Sequence, residues 1–305
     1  MTLHLIDLFC GAGGISEGAR LAGANVAVVV DSWADALAIH ERRHPKALHF
    51  NENIGDVPAA EYGKLLRTRV EPFMKPGDLL HVHASPPCQA VSIGNTQNRD
   101  VESARELMFY TLDVIAAVGP TSWSIEQVNH PVVRQMFEER GVEYWTVRMR
   151  DYGVKQLRTR LFAGSGWRLE DVPTQPLPGL GAVRDLPPDT HYISDRFHQV
   201  YIFDYKLGLR TPRLVVADDA PLYTVTSKPY YFYDKEGFFI EQASVQFLES
   251  VQTFPQGYIT QMPISTVKMM HLIGNAVPPT FAHALIGTIV KLGGPKAVRA
   301  RRNTK

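Results

Sequence analysis

Cys88 stands in the stretch ASPPCQAVSIGN (84–95), behind two prolines and ahead of a polar run that contains Gly94. A cysteine thiolate is a nucleophile, whereas a buried free cysteine is a small inert hydrophobe. Paired prolines fix the backbone, and Gln89, Ser92, Gly94 and Asn95 are not core residues, so the nucleophile is the better reading. In DLFCGAGG (7–14), Gly11, Gly13 and Gly14 allow a tight turn and a close approach to a ligand, with a helix N-terminus behind. Asp31 follows Gly11 by 20 positions. That spacing suits a carboxylate that grips the ribose hydroxyls of an adenine nucleoside, the alternative being a strand–helix turn with no ligand. Glu126 in SIEQVNHP (124–131) closes an apolar run; a partly shielded carboxyl group there could donate a proton or hydrogen bond to a ring nitrogen. In QLRTR (156–160), alternation along a strand start puts Gln156, Arg158 and Arg160 on one face, a paired-guanidinium surface for phosphate or a carbonyl oxygen. GNAVPP (274–279) makes a stiff corner that could be purely structural.

These groups need elements to hold them. LHLIDLF (3–9), NVAVVVD (25–31), DLLHVHAS (78–85) and TSWSIEQV (121–128) read as strands. GISEGARLAG (14–23), WADALAIHERRH (33–44), ARELMFYTLDVIAAVG (104–119) and HPVVRQMFEERG (130–141) read as helices, the first closed by Gly23. YWTVRMRDYGV (144–154) and RLFAGSG (160–166) read as a closing strand pair. The alternation predicts an α/β fold, a doubly wound and mostly parallel sheet covered on both faces. Cys88 and Glu126 then lie at the C-terminal ends of strands, where open parallel sheets place their sites. SIGNTQNRDVESAR (92–105) reads as a mobile polar loop that closes over a substrate. Near residue 171 proline and glycine accumulate, and an aromatic, irregular stretch follows, before helical pattern returns at 242–254 and 278–293. The expected division is one domain over 1–166 and 220–305 and a small region over 167–219.

The chain of 305 residues is 45% hydrophobic and 21% charged, which suits a soluble globular protein with a sizeable core. With 32 basic against 31 acidic residues, net charge predicts no nucleic-acid partner, so any such surface must be local. The basic end KAVRARRNTK reads as a solvated tail. Two cysteines, Cys10 and Cys88, exclude a disulfide framework and suit a reducing compartment. The N-terminus lacks the pattern of a signal peptide, and no apolar run approaches the ~20 residues that span a bilayer. The expectation is a cytosolic or nuclear protein without a membrane segment.

Six motifs in order, DLFCGAGG, PPCQ, EQV, QLRTR, VQTFP and GNAVPP, resemble the series of the DNA (cytosine-5)-methyltransferases. The resemblance covers residues 3 to about 164 and 220 to about 292. It implies a Rossmann-like domain that uses S-adenosyl-L-methionine, binds duplex DNA and extrudes the target base, at roughly a few kcal/mol. Cys88 would add to C6 of cytosine and make C5 carbanion-like, Glu126 would engage N3 and the exocyclic amine, and Arg160 would contact O2 with Arg158 in support. Phe9, Gly11, Gly13, Gly14, Ile54, Pro87 and Leu107 would line the cofactor site. Asp31 would hold the ribose, Ser32 or Trp33 would flank the adenine, Asn53 would meet its edge, and Asn275 and Val277 would close the pocket. Gln89, Ser92, Arg99 and Arg105 of the closing loop would meet DNA, the two arginines on its phosphates. A cytoplasmic, nucleoid-associated monomer is implied, with a cognate restriction endonuclease as an independent partner left open; no metal is implied.

The sequence departs from the family pattern at two points. EQV replaces ENV, whose asparagine anchors the catalytic loop, and Asn53 replaces an aspartate. Asn53 can still bond adenine N6 through its carbonyl oxygen. The region 167–219 corresponds to target recognition and is short, with Arg196, Lys206, Arg210 and Arg213 among its aromatic residues, which predicts a short target sequence. Two other readings stand beside this one: a tRNA cytosine-5 methyltransferase, whose local features after QLRTRLF are not seen, and a catalytically silent DNA-binding regulator, against which the presence of Cys88, Glu126 and Arg160 argues.

Overall fold

The structure, a computed structural model, describes residues 1–87, 100–175, 191–194, 201–204, 209–212, 215–216, 224–227, 229–233 and 239–293. The chain divides into two compact units. One comprises Met1–Arg148, Thr159–Thr174 and Val277–Lys305; the other comprises Met149–Arg158 and Gln175–Ala276. The second unit thus takes in more of the chain than 167–219.

In the first unit seven strands form one sheet: β1 (Leu3–Leu8), β2 (Asn25–Asp31), β3 (Leu48–Asn51), β4 (Leu79–Ala84), β5 (Ser122–Val128), β6 (Tyr144–Arg148) and β7 (Thr159–Ser165). Their order is β3-β2-β1-β4-β5-β7-β6. The first five pair in parallel, and β7 runs antiparallel to both β5 and β6. β1 and β4 are buried along their whole length, as strands covered on both faces must be. Helices α1 (Gly14–Leu21), α2 (Ala34–Arg43), α3 (Ala59–Val70), α4 (Val101–Val118) and α5 (Pro131–Glu139) connect the strands. The starts follow capping chemistry: Asp100 accepts from the backbone N–H of Ser103 to open α4, and His130 caps α5 ahead of Pro131. Gly119 in the left-handed region stops α4.

The second unit holds short strands β8 (His191–Ser194), β9 (Tyr201–Asp204), β10 (Leu209–Pro212), β11 (Val215–Val216), β12 (Tyr230–Tyr233) and β13 (Phe239–Gln242), and helices α6 (Val245–Val251) and α7 (Thr266–Asn275). β9 and β10 pair as one ribbon, while β11, β8, β12 and β13 form a four-stranded antiparallel sheet. α8 (Pro279–Leu292) belongs to the first unit and packs on α1 so closely that a Cβ on Gly18 would lie 2.3 Å from that of Ala282. The stretch Thr266–Leu292 has the length and composition to cross a membrane, yet 67% of that window is buried in the protein.

The expected strand–helix order recurs, with two additions. β3 is a half-exposed edge strand reading LHFN, and α3 carries a charged face, so neither announces itself by an apolar run.

Candidate active site

β1 and β4 lie side by side where the strand order reverses, the place at which open α/β sheets form a crevice beyond the strand C-termini. Ser85, one residue past β4, donates its backbone N–H to Leu8 O at 3.1 Å, which sets the segment before Cys88 beside the glycine turn.

That turn bends hard. Phe9, Gly11 and Gly13 all have positive φ, at 57°, 52° and 92°; for a phenylalanine this is strain of the kind found at ligand clamps. Asp31 holds it from the neighbouring strand, with Oδ2 accepting from Gly11 N–H at 2.8 Å and Oδ1 accepting from Trp33 N–H at 2.8 Å. Burial pushes the Asp31 carboxyl up from its ordinary value, against hydrogen bonds from Trp33, Gly11 and Ser32. A carboxylate has about four acceptor sites, so both oxygens can still receive ribose hydroxyls. A Cβ on Gly11 would meet nothing within 4 Å, so the face of the turn is open, whereas one on Gly14 would lie 2.1 Å from Val277 O. These residues fit an adenosyl ligand: an open backbone face, a carboxylate at the end of β2, and a wall formed by buried Val277. Asn53 donates Nδ2 to Asp56 Oδ1 at 2.6 Å, which leaves its carbonyl oxygen as the acceptor an adenine amine needs. Trp33 is half-buried and its Nε1 donates to Asp35, Ser32 is exposed, Ile54 is buried and Leu107 is half-buried on α4. Pro87 is exposed. Asn275 ends α7 in the second unit and is exposed.

Two residues not singled out from the sequence support the turn. Asp7 is 1% exposed and accepts from Ser16 Oγ at 2.7 Å, and burial raises its carboxyl to about 7. A charged residue inside an otherwise apolar strand is the sequence signal for it.

Cys88, Gln89, Ser92 and Arg99 lie outside the described residues. Their mount does not. Gln127, 3% exposed, donates Nε2 to Pro86 O at 2.8 Å and accepts from Val128 N–H at 2.9 Å. The longer amide therefore reaches the backbone just before Cys88. Glu126, 7% exposed at the end of β5, faces Arg160 on β7, with Arg160 Nε 2.9 Å from Glu126 Oε1. Val128 is the partner of Arg160 in the ladder, so Glu126 meets it along the diagonal of one sheet face. The approach is off-line for a hydrogen bond, so Oε1 is ion-paired but accepts none among the described residues.

The expected paired-guanidinium surface of QLRTR does not form. β7 begins at Thr159, and Arg158, 1% exposed, donates to the carbonyls of Val225 at 3.2 Å and Gly274 at 2.9 Å within the second unit. Gln156 is buried too, bonded to Gln252 and to Val225 N–H. The local backbone leaves strand geometry before Thr159, so alternation does not apply there. Arg105 lies in α4 rather than in a loop, and its guanidinium is held by both oxygens of Glu139 at 2.5 and 2.8 Å. A phosphate would have to compete with that carboxylate. Arg210 falls in β10, while Arg196, Lys206 and Arg213 lie outside the described residues. Among the described residues no cluster of three histidines, cysteines or carboxylates is placed to hold a metal.

With this fold and site in place, the sequence matches the C-5 cytosine-specific DNA methylase family over residues 3–168, and the chain belongs to that family. It is 30% identical over 189 residues to the type II methyltransferase M.AgeI of Thalassovita gelatinovora, covering 57% of this chain and 42% of that protein. The chain therefore spans less than half the length of that relative. Over 305 aligned residues it is 25% identical to M.NlaX of Neisseria lactamica, covering 90% of this chain and 91% of the other. The fold superposes on the Dnmt2 methyltransferase of S. pombe with a TM-score of 0.60 at 14% identity, over 95% of this chain and 98% of that one.

Proposed function

We propose that the protein methylates C5 of cytosine in duplex DNA through a transient bond between Cys88 and C6. The observation that carries this reading is the buried Glu126–Arg160 pair beside the Gln127-anchored prolines that lead into Cys88. Addition of the Cys88 sulfur to C6 moves electron density onto N3 and C5. Glu126 would hold the exocyclic amine through an oxygen that accepts no hydrogen bond from the described residues, and a proton carried on the carboxyl group would meet N3, where charge develops. Arg160 supplies the opposing charge and a guanidinium for the base oxygen. The glycine turn, Asp31 and Asn53 would bind S-adenosyl-L-methionine, which supplies an electrophilic methyl group. Loss of the C5 proton and expulsion of the Cys88 sulfur then restore the aromatic ring. The target base must leave the stack, because a paired base hides C6 from a nucleophile. The second unit would contact the flanking sequence.

Bisulfite sequencing of plasmid DNA from cells that express the protein tests the reading, since it reports base and sequence context together. Methylated cytosines in a short recurring context are expected, with none in Cys88→Ala. Duplex DNA carrying 5-fluorocytosine should trap a covalent adduct in the wild type. Full methylation by Cys88→Ala, or transfer to tRNA in preference to DNA, overturns the reading.

A further inference from the structure

Five side chains unused by the reaction above form one continuous hydrogen-bonded ladder between β4 and β5. His81 Nδ1 meets Ser122 Oγ at 2.8 Å and its Nε2 meets Ser124 Oγ at 2.9 Å. Ser124 Oγ also meets His83 Nδ1 at 2.8 Å, and His83 Nε2 meets Ser85 Oγ at 2.8 Å. Ser122, His81, Ser124 and His83 are all buried, while Ser85 is half-buried at the C-terminal end of β4.

The direction of the ladder follows from counting protons. Burial drives the His81 imidazole down to about 3 and that of His83 well below its ordinary value, so both rings are neutral and each holds one N–H. Each serine holds one O–H. Five groups thus supply five protons to four hydrogen bonds, and one proton must point out of the ladder. Ser124 is fully buried, and its partners among the described residues are the two imidazoles, so it cannot be the outlet. Ser122 is 1% exposed with His81 as its partner, so a proton turned outward there would be buried without an acceptor, which is costly. The proton therefore emerges at Ser85. Every bond runs the same way, from Ser122 to His81 to Ser124 to His83 to Ser85, and aligned hydrogen bonds strengthen one another in a buried site.

Strand alternation puts Glu126 on the same face of β5 as Ser122 and Ser124. His83 is paired with Ser124 in the parallel ladder, so Ser85 and Glu126 share the next rung. A hydroxyl whose proton has no acceptor among the described residues and a buried carboxylate oxygen that accepts no hydrogen bond from them stand at the same level of the sheet. We propose that this ladder presents the Ser85 hydroxyl as a fixed donor beside Glu126, making Ser85 a positioning residue that orients Glu126 for the base. The proposal rests on the cytosine methyltransferase reading and extends it to residues outside the six motifs.

Two measurements test it. Nitrogen-15 NMR of histidine-labelled protein reads the tautomers without any turnover: His81 and His83 are both expected as Nε2–H forms, and an Nδ1–H form at either ring overturns the polarity. In steady-state methylation, Ser85→Ala is expected to lower kcat about tenfold, the scale of one lost hydrogen bond to a charged group, with KM for the cofactor little changed and the melting temperature lowered, because the buried His83 N–H loses its acceptor. Ser85→Thr, which keeps the hydroxyl, should recover most of that loss. His83→Phe added to Ser85→Ala should lower kcat no further, because the histidine acts through the serine. Wild-type kcat in Ser85→Ala, or losses that multiply in the double variant, overturns the proposal; if His83→Phe does not fold, the Ala and Thr variants at Ser85 decide. Failure of the parent reading is separately visible, as methylation that survives Cys88→Ala.

Discussion

The side-chain amide of Gln127 and the carbonyl of Pro86 are joined by a buried 2.8 Å hydrogen bond, two positions before Cys88 in the sequence. Gln127 also accepts from the backbone N–H of its own neighbour Val128, so both ends of the amide are spent and its rotamer is fixed. The extra methylene relative to asparagine is absorbed by this folding back, and the amide still reaches the Pro86 backbone. Gln127→Ala leaves the Pro86 carbonyl and the Val128 N–H without partners, which costs about 1–3 kcal/mol per unsatisfied buried group. Loss of stability together with at least a tenfold fall in kcat is expected from denaturation and methylation assays on the same preparation. Gln127→Asn, too short to make both bonds, should lie between the two.

Glu126 and Arg160 are unequal partners in a mutational sense. Arg160→Ala strands a carboxylate that is 7% exposed, and breaking a buried pair from one side typically costs about 3–5 kcal/mol. On the proposed mechanism the same change would also remove a guanidinium from the base, so kcat/KM should fall by roughly 10²–10³. Glu126→Gln keeps the shape and leaves a more exposed arginine, so stability should change less while activity falls as far. The double variant Glu126→Gln/Arg160→Ala should be more stable than Arg160→Ala alone. A thermal denaturation series on the four proteins checks the order.

Between pH 4 and 7 the Asp7 carboxyl and the buried histidines should act on stability in opposite directions. The Asp7 carboxyl is raised from 3.8 to about 7, so the fold prefers its protonated form. Its contribution is full below about pH 4 and is lost as pH rises through 7. His81, lowered to about 3, and His44, lowered to about 4, prefer to be neutral, as do His40 and His83. Their contribution is present above the ordinary value of 6.5 and is lost as pH falls through that window. Urea denaturation from pH 4 to 8.5 should show the acid loss steeper than one proton can explain. Asp7→Asn keeps the acceptor for Ser16, and its advantage over the parent should grow from pH 4 to 7 and then level off.

Much of this is legible in the amino-acid order alone. The apolar run of β2, the mostly apolar β1 and β4, and Pro131 in the first turn of α5 announce the sheet and its helices, whereas the cap at Asp100, inside a stretch that reads as a loop, does not. Glu126 and Asp31 are readable as strand-end carboxylates. Arg158 is not, since its partners, Val225 and Gly274, are 67 and 116 residues away and no local pattern encodes them. Arg105 reads as a free cation for the same reason, its partner Glu139 lying on α5. The ladder stands between these cases. His81, His83 and Ser85 alternate in LHVHAS, and Ser122, Ser124 and Glu126 alternate in SWSIE, so two polar faces are visible, but their register against each other is not.

Gly14 and Gly11 separate two demands that one motif makes on glycine. Gly14 begins α1 with ordinary helical geometry, and what forbids a side chain is Val277: a Cβ would sit 2.1 Å from its carbonyl oxygen, a backbone atom that cannot swing away. Gly14→Ala must therefore part α1 from the segment leading into α8, and overpacking of this kind costs about 1–3 kcal/mol or more. Gly11 meets no such wall. Its φ of +52° is the obstacle, with nothing within 4 Å of where a methyl group would stand, so Gly11→Ala should cost only about 1 kcal/mol in backbone strain. The methyl would instead occupy the open face of the turn where an adenosyl ligand would approach. Titration calorimetry with S-adenosyl-L-homocysteine, paired with thermal denaturation, should find Gly14→Ala mainly unstable and Gly11→Ala mainly unable to bind. Equal stability losses in the two variants, or full affinity in Gly11→Ala, would show that the turn does not face the cofactor.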